Sequence, residues 1–247
     1  GKYISSKDLN ELTLTTNGSR LYKYAKNLYE CGVKRINVSI DTLNSSLFSS
    51  LTRRGDLTKV LQGIEEAKKV GLKIKINTVA LKNTNENELV DIMSWAHSND
   101  CDMTIIETMP LGEIDYDRTD QFLPVSKVKK NIENKYNLKK SDHYTGGPSR
   151  YFEVVETGKR IGFITPLTHN FCELCNRVRL TCTGKLYMCL GQEDSADFKE
   201  ASRSLNWKED LKSAILEAIS RKPKGHDFVI RRKQEPSVKR HMSVTGG

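Results

Sequence analysis

Four of the six cysteines in this chain lie within 18 residues, at Cys172, Cys175, Cys182 and Cys189. Cys172 and Cys175 form a Cys-x2-Cys pair, a spacing that places two thiolates on one tight turn, where both can bind the same metal. Clustered cysteines in a reducing compartment favour a metal site over disulfide bonds. The spacing therefore predicts one metal centre in this segment.

Two kinds of metal centre fit these cysteines. If all four bind, the site is a closed zinc knot with a structural role. If only Cys172, Cys175 and Cys189 bind, three thiolates hold a 4Fe–4S cluster, and its fourth iron stays open to a substrate ligand. We favour the iron–sulfur cluster, because hairpin geometry separates Cys182 from the other three.

The hairpin argument depends on the loop at 182–184. A three-residue loop with Gly184 in the left-handed conformation suits this segment, and it pairs Thr181 with Lys185 and Arg177 with Cys189. Directly paired residues share a face of the hairpin, so the loop cysteine does not join Cys189. A two-residue loop would reverse this result by moving Cys189 to the opposite face.

Arg177 and Arg179 share the face of Cys189, since side chains two apart on a strand point the same way. Guanidinium groups bind phosphate in bidentate fashion and keep their charge, which makes these arginines candidates for a triphosphate clamp. The alternative is that both are solvated on an exposed edge strand. The basic segment 221–241 is interpreted as a solvated tail rather than a nucleic-acid site, because it has few aromatic residues among its charges.

Composition limits the class of protein. The chain has 247 residues, of which 37% are hydrophobic and 29% charged, enough for a folded core. Forty Lys and Arg against 31 Asp and Glu give a net charge of +9, which suits an anionic partner such as a nucleotide. No apolar run approaches the roughly 20 residues of a membrane span, and no secretory signal is visible. We expect a cytoplasmic protein with neither a membrane nor a nucleic acid as partner.

Strand and helix patterns alternate over the first hundred residues, which predicts parallel βαβ units in an α/β fold. The predicted strands are 11–15, 34–40, 73–80 and 103–107. The predicted helices are 21–30, one that ends at Gly71, and one capped by Asn85 with Glu88. Further on we expect helices at 125–136 and 207–221, the latter capped by Asn206 with Glu209, and strands at 151–155 and 160–164. A boundary near residue 115 divides the chain into regions 1–115 and 116–247.

Polar or distinctive residues follow the first four strands. In barrel-type α/β folds the site lies at the carboxyl ends of the strands, so these residues are candidates for its lining. They are Thr15, Ser39 with Asp41, Asn77, and Glu107 with Met109.

Taken together, these motifs resemble one family. They are residues 14–18 (LTTNG), residues 37–41 (NVSID), the Cys172-x2-Cys175-x13-Cys189 spacing that encloses two arginines, and the terminal pair Gly246 and Gly247. The chain is similar over essentially its whole length to the molybdenum cofactor biosynthesis protein A (MoaA) family, the radical S-adenosylmethionine GTP 3′,8-cyclases.

The resemblance implies a partial (β/α) barrel of the radical S-adenosylmethionine type in residues 1–115, and a C-terminal region with an auxiliary cluster and the GTP site in residues 116–247. By the same resemblance each site residue has a role. Cys172, Cys175 and Cys189 hold a 4Fe–4S cluster whose open iron receives the GTP base; Arg177, Arg179, Gly246 and Gly247 serve catalysis; Lys75 contacts GTP; and Thr15, Ser39 and Met109 contact S-adenosylmethionine.

The implied reaction is a lyase step that converts GTP to 3′,8-cyclo-7,8-dihydroguanosine 5′-triphosphate. The family's Cys-x3-Cys-x2-Cys triplet, which holds a second 4Fe–4S cluster, is absent from this sequence. We therefore expect the chain alone to be inactive. Thr104 stands where the family often has an arginine. The implied partners are GTP, S-adenosylmethionine and the cyclic pyranopterin monophosphate synthase that acts next, and the resemblance leaves a homodimer open.

Overall fold

A computed structural model describes residues 9–109, 111, 118–168, 175–226, 228, 232, 236 and 238–245. The chain divides into two compact units. The first comprises residues 1–108, 122–145 and 149–164, and the second comprises residues 109–121, 146–148 and 165–247. Each unit is described by itself. No helix in the described ranges is both long enough and apolar enough to cross a membrane.

The strands and helices follow in chain order. The strands are β1 (Thr13–Thr16), β2 (Arg35–Ser39), β3 (Lys73–Ala80), β4 (Asp102–Glu107), β5 (Leu138–Lys140), β6 (Arg150–Val154), β7 (Lys159–Ile164), β8 (Arg179–Leu180), β9 (Lys185–Tyr187) and β10 (Ser195–Asp197). The helices are α1 (Leu21–Glu30), α2 (Ser45–Leu51), α3 (Leu57–Lys69), α4 (Leu89–Ser98), α5 (Arg118–Gln121), α6 (Val125–Glu133), α7 (Trp207–Ser220) and α8 (Met242–Thr245).

The first unit is built on one open sheet, which contains seven strands within the described residues, in the order β1-β2-β3-β4-β7-β6-β5. Strands β1 to β4 and β7 run parallel, as the alternating patterns predict, and β6 and β5 are antiparallel additions at one edge. The sequence placed β5 to β7 in the C-terminal region, whereas they extend the sheet of the first unit. The functional division near residue 115 stays a prediction.

One face of this sheet is apolar and carries the helices. Its side chains alternate along each strand with those of the opposite face, and the central ones are buried: Ile36, Val38, Ile74, Ile76, Met103, Ile105, Ile161 and Phe163. Helices α1, α3, α4 and α6 pack their apolar side chains into the same core. Burial of this area is the main favourable contribution to the stability of the unit.

The opposite face of the sheet is polar, which is unusual for parallel strands because their faces are normally both covered by apolar residues. Side chains stand in lateral rows on it. One row contains Thr15, Asn37, Lys75 and Asp102, and the next contains Ser39, Asn77, Thr104, Gly162 and Tyr151. Helices cover one side of the sheet and polar groups line the other, as in the predicted partial (β/α) barrel.

The carboxyl ends of β2 and β3 are joined through one buried side chain. Asn85 accepts a hydrogen bond from the Leu81 N–H at 2.8 Å and donates to the carbonyl oxygens of Asp41 at 2.7 Å and Val79 at 2.8 Å. The predicted capping box of Asn85 with Glu88 is therefore wrong, because the amide holds strand ends and caps no helix. Asn206 occupies the predicted N-cap position of α7, but its side chain makes no capping hydrogen bond.

The second unit has its own small core. Within its described residues, β8, β9 and β10 form an antiparallel sheet in the order β10-β9-β8. Leu186, Met188 and Phe198 from this region pack against Ala218 of α7. The sheet and α7 therefore support the hairpin that carries the candidate arginines.

We expect Asn85→Ala to destabilise the chain by roughly 2–4 kcal/mol, because it leaves buried backbone groups at two strand ends without partners. Urea unfolding followed by circular dichroism measures this loss. Asn87→Ala, an exposed change in the same segment, is the matched control and should shift the free energy of unfolding by less than about 0.5 kcal/mol. Equal unfolding midpoints for the two variants would show that the Asn85 bonds do not stabilise the strand ends.

Candidate functional site

The hairpin of β8 and β9 has the predicted register. Arg179 lies opposite Tyr187, and the Thr181 N–H donates to the Lys185 carbonyl oxygen at 2.9 Å. The loop between them has three residues and ends at Gly184, whose φ of +82° lies in the left-handed region. Glycine adopts this conformation without the steric cost that a Cβ atom brings. The odd-numbered loop is confirmed, and the two-residue alternative is excluded.

The paired residues of this hairpin end at Arg179 and Tyr187, two positions short of Arg177 and Cys189. Regular pairing continued that far would set Arg177 opposite Cys189 and give Arg177, Arg179 and Cys189 the same parity, which stays a prediction. Burial lowers the pKa of the Arg179 guanidinium, as does the charge of Arg177, whereas Cys175 and Cys189 act in the opposite direction. Arg179 is thus within electrostatic range of both cysteines.

Cys175 and Cys189 have the features expected of metal ligands. Both are half-buried, and neither forms a disulfide bond. Soft thiolate sulfur is the donor that iron–sulfur clusters require, so the two described thiols fit the predicted group. Cys172, the third predicted ligand, lies outside the described residues. Among the residues that are described, no three metal-binding side chains converge.

Cys182 lies in a different environment. It is exposed in the hairpin loop and lines an open groove of about 670 Å³ together with Leu186, Phe198 and Ile215. The lining is mainly apolar. Cys182 is therefore associated with the packing between the small sheet and α7, and its exclusion from the ligand set stays a prediction.

Lys222, which the sequence analysis placed in a solvated tail, bonds the backbone on both sides of the hairpin. Lys222 Nζ donates to the carbonyl oxygens of Arg177 at 2.7 Å and Met188 at 2.6 Å. It therefore joins Arg177, two residues before β8, to the residue before Cys189. Arg221 is also engaged, since its guanidinium bonds both Asp194 and Glu217. The solvated-tail interpretation is wrong for these residues.

Arg240 anchors the end of the chain and was missed by the sequence reasoning. Its side chain is only 6% exposed, and its Nη2 donates to the carbonyl oxygens of Leu190 and Gln192 at 3.1 Å each. The guanidinium also lies 3.9 Å from the centre of the Tyr187 ring. These contacts fix the segment before α8 next to the strand that leads through Cys189. In the sequence Arg240 is one of many basic residues in the segment 221–241, and nothing there distinguishes it as a buried anchor.

Three other predicted residues lie on the polar face of the first unit. Thr15 and Ser39 are exposed, on β1 and β2, and Lys75 is buried on β3. The Asn37 amide donates to Thr15 Oγ1 at 3.2 Å, and Asn37 is the lateral neighbour of Lys75. Thr15 and Lys75 thus share one row of side chains, and their roles in one site stay a prediction.

The polar face also carries two arginines that already have carboxylate partners. Arg35 donates through Nε and Nη2 to Glu11 at 3.0 and 2.8 Å, and this contact lowers the pKa of Glu11. Arg160 donates to Asp102 at 3.0 and 2.8 Å. The Arg35–Glu11 pair is bidentate, whereas both Arg160 donors share Asp102 Oδ2, and each pair neutralises its guanidinium group. They order the sheet surface and leave Lys75 with a different kind of partner, Tyr151.

The remaining predicted residues belong to the second unit. Met109 packs against a small cluster of Leu111, Leu190 and Val238. This places it near the residue that follows Cys189. Gly246 and Gly247 lie outside the described residues.

Comparison with known proteins identifies the family. The Molybdenum Cofactor Synthesis C family model matches residues 101–228, and the Radical SAM superfamily model matches residues 2–96. GTP 3′,8-cyclase of Mesorhizobium japonicum is 59% identical over 247 residues, which are all of this chain and 75% of that protein. The chain belongs to the GTP 3′,8-cyclase family. The enzyme of that name from Brucella ovis is 58% identical and is covered to 72%. The family places the chain among radical S-adenosylmethionine proteins of molybdenum cofactor biosynthesis.

Solved structures support the radical S-adenosylmethionine fold. SuiB of Streptococcus suis, bound to S-adenosylmethionine, superposes with a TM-score of 0.52 at 14% identity, over 95% of this chain and 59% of that one. The protein anSMEcpe with bound AdoMet gives a TM-score of 0.50 at 18% identity, over 84% of this chain and 61% of that one. At these identities the likeness concerns the fold alone.

We expect Cys175→Ser and Cys189→Ser to remove most of the iron from protein purified without oxygen, whereas Cys182→Ser leaves iron content nearly unchanged. The reason is the hairpin register, which separates the loop cysteine from the other two. Iron and acid-labile sulfide per chain are the measurements. Equal iron loss in all three variants would restore the four-cysteine centre.

Proposed function

We propose that this chain supplies the substrate-binding part of a GTP 3′,8-cyclase, which converts GTP to 3′,8-cyclo-7,8-dihydroguanosine 5′-triphosphate in a lyase step. The observation that carries the proposal is that Arg179, on the paired part of the hairpin, is within electrostatic range of Cys175 and Cys189. A cationic group in range of two thiols suits a site that binds both a metal centre and an anionic nucleotide.

Cys172, Cys175 and Cys189 would hold a 4Fe–4S cluster in this function. Such a cluster offers one iron that can bind the guanine base, while a second cluster together with S-adenosylmethionine supplies the radical that begins cyclisation. The protein side chains have the tasks of binding, orienting and excluding water. Thr15, Ser39 and Met109 are proposed to contact S-adenosylmethionine, as the family resemblance suggests.

The triphosphate of GTP needs several positive charges. Arg177, Arg179 and Lys75 are the proposed partners, because each can donate hydrogen bonds to phosphate oxygens. Half-buried Arg179 interacts in a lower dielectric than exposed Arg177 and should contribute more. Gly246 and Gly247 are proposed to act near the reacting nucleotide. The synthase that forms cyclic pyranopterin monophosphate would consume the product.

Metal analysis tests this function against its competitor, a four-cysteine zinc knot that binds nucleic acid. We expect protein purified without oxygen to be brown and to contain about four irons per chain for one cluster of this type. A colourless protein with one zinc per chain would contradict the proposed function and favour the zinc knot. A fluorescently labelled single-stranded oligonucleotide, tested in parallel, should show no binding that survives physiological salt.

We expect Arg177→Ala and Arg179→Ala to weaken GTP binding by roughly 1–3 kcal/mol each, the range for a hydrogen bond to a charged group, and to leave iron content unchanged. Isothermal titration calorimetry with GTP measures the loss. Arg203→Ala, which removes an exposed arginine from the same unit, is the control and should bind GTP as the unaltered chain does. Unchanged affinity in both test variants would return these arginines to a solvated role.

A further inference from the structure

Lys75 is a buried cation without a carboxylate partner. It is 8% exposed, and no described carboxylate lies within ion-pair distance of its Nζ, whereas Arg35 and Arg160 on the same face are paired with Glu11 and Asp102. Burial of an ammonium group is costly unless hydrogen bonds or an opposite charge compensate it. The group is therefore prepared for an anion that comes from outside the chain.

The hydrogen-bond partner of Lys75 is Tyr151, at 3.1 Å from Nζ to Oη. These residues stand on β3 and β6, which are separated in the sheet by β4 and β7. The tyrosine ring crosses β7 at Gly162, where an added Cβ atom would lie 2.8 Å from a ring carbon. The missing side chain at Gly162 is what allows Tyr151 to reach Lys75 across two strands.

Tyr151 is itself held in place from several directions. It is 3% exposed, a hydrogen bond of 3.2 Å joins its Oη to Thr145 Oγ1, and the His143 ring packs edge-on at 4.9 Å. A phenol fixed in this way limits the positions of the flexible lysine side chain. Because an ammonium group has three N–H donors, one bond to Tyr151 leaves two for an anion.

Two polar groups without hydrogen-bond partners lie in the row of Tyr151, which is the row next to that of Lys75. Thr104 is fully buried, and its Oγ1 has no hydrogen-bond partner among the described residues; the same holds for Asn77 Oδ1. Buried polar atoms are normally paired, so unpaired ones next to Lys75 indicate a place for a polar ligand. The charge of Lys75 makes an anionic ligand the better fit.

We propose that Tyr151 is a positioning residue that holds Lys75 toward a phosphate group of the bound nucleotide. This inference rests on the proposed function, since it assumes that GTP is the nucleotide. Neither sequence pattern nor resemblance assigned a role to Tyr151. The phenol acts through Lys75 and contacts no reacting atom.

The electrostatics of Tyr151 provide a direct readout. Burial alone raises the pKa of the phenol, but the charge of Lys75 and the hydrogen bonds from Thr145 and Lys75 bring it below its ordinary value. Arg35 on β2 and His143 before β6 also face this group. An anion on Lys75 offsets the positive charge that stabilises the phenolate, so the pKa of Tyr151 should rise when the anion binds.

The experiment uses inorganic triphosphate and GTP as probes with the full chain. Calorimetry measures their binding to the unaltered chain, to Tyr151→Phe, to Lys75→Gln and to the control Tyr144→Phe, which alters an exposed tyrosine. Phenolate absorbance near 295 nm, recorded against pH with and without triphosphate, isolates Tyr151 as the difference between the unaltered chain and Tyr151→Phe.

We expect Tyr151→Phe to weaken triphosphate binding roughly three- to tenfold, the equivalent of one net hydrogen bond, while Tyr144→Phe has no effect. The pKa of Tyr151 should rise with triphosphate in the unaltered chain and stay constant in Lys75→Gln. Should Tyr151→Phe fail to fold, the comparison of the unaltered chain with Lys75→Gln still decides, because a phenolate titration that shifts with triphosphate only when Lys75 is present belongs to the tyrosine that Lys75 contacts.

Two results would overturn the inference. One leaves the proposed function intact, and the other contradicts it as well. If GTP binds with the expected dependence on Arg177 and Arg179 but saturating triphosphate leaves the Tyr151 titration unchanged, Tyr151 does not position a phosphate-binding lysine and the proposed function stands. If neither GTP nor triphosphate binds the iron-loaded chain, the inference and the proposed function both fail.

Discussion

The alternation of side chains across one parallel sheet is the constraint on which the first unit depends. Because neighbouring residues of a strand point to opposite faces, the same strands that bury Ile36, Ile76 and Ile105 must present Asn37, Asn77 and Thr104 on the other side. Among the described residues of the first unit, helices pack against the apolar face. The polar face is stable because its arginines are paired with carboxylates, and the remaining polar groups are available to a ligand.

The hairpin of the second unit is held in position by side chains from a distant part of the sequence. A two-stranded hairpin is barely stable alone, so its position depends on contacts from elsewhere in the chain. Lys222 joins backbone oxygens beside β8 and Cys189, and Arg240 bonds the residues that follow Cys189. Both come from a segment whose composition suggested a solvated tail. Lys222 and Arg240 donate hydrogen bonds to backbone carbonyl oxygens, and a count of charged side chains does not reveal such contacts.

Sequence patterns predicted the bounds of individual helices and strands well. They predicted contacts between residues far apart in the sequence only in part. The bounds of α1 and β3 follow from spacing and from Gly71, and the hairpin register follows from Gly184, because in each case neighbouring residues decide. Asn85 matched a capping signature, but bonds to Asp41 and Val79 satisfied its amide instead. The Tyr151 contact with Lys75 could not be predicted, since it requires β6 to lie beside β7 in the finished sheet.

Two glycines show how an absent side chain can determine chemistry. Gly184 permits the left-handed turn that fixes an odd-numbered loop, and the predicted parity of Arg177, Arg179 and Cys189 follows from it. Gly162 leaves the space that the Tyr151 ring occupies on its way to Lys75. A Cβ atom at Gly184 would strain the left-handed turn of the hairpin loop. A Cβ atom at Gly162 would collide with the Tyr151 ring and disturb its hydrogen bond with Lys75. In each unit, backbone geometry therefore decides which side chains a cation can lie beside.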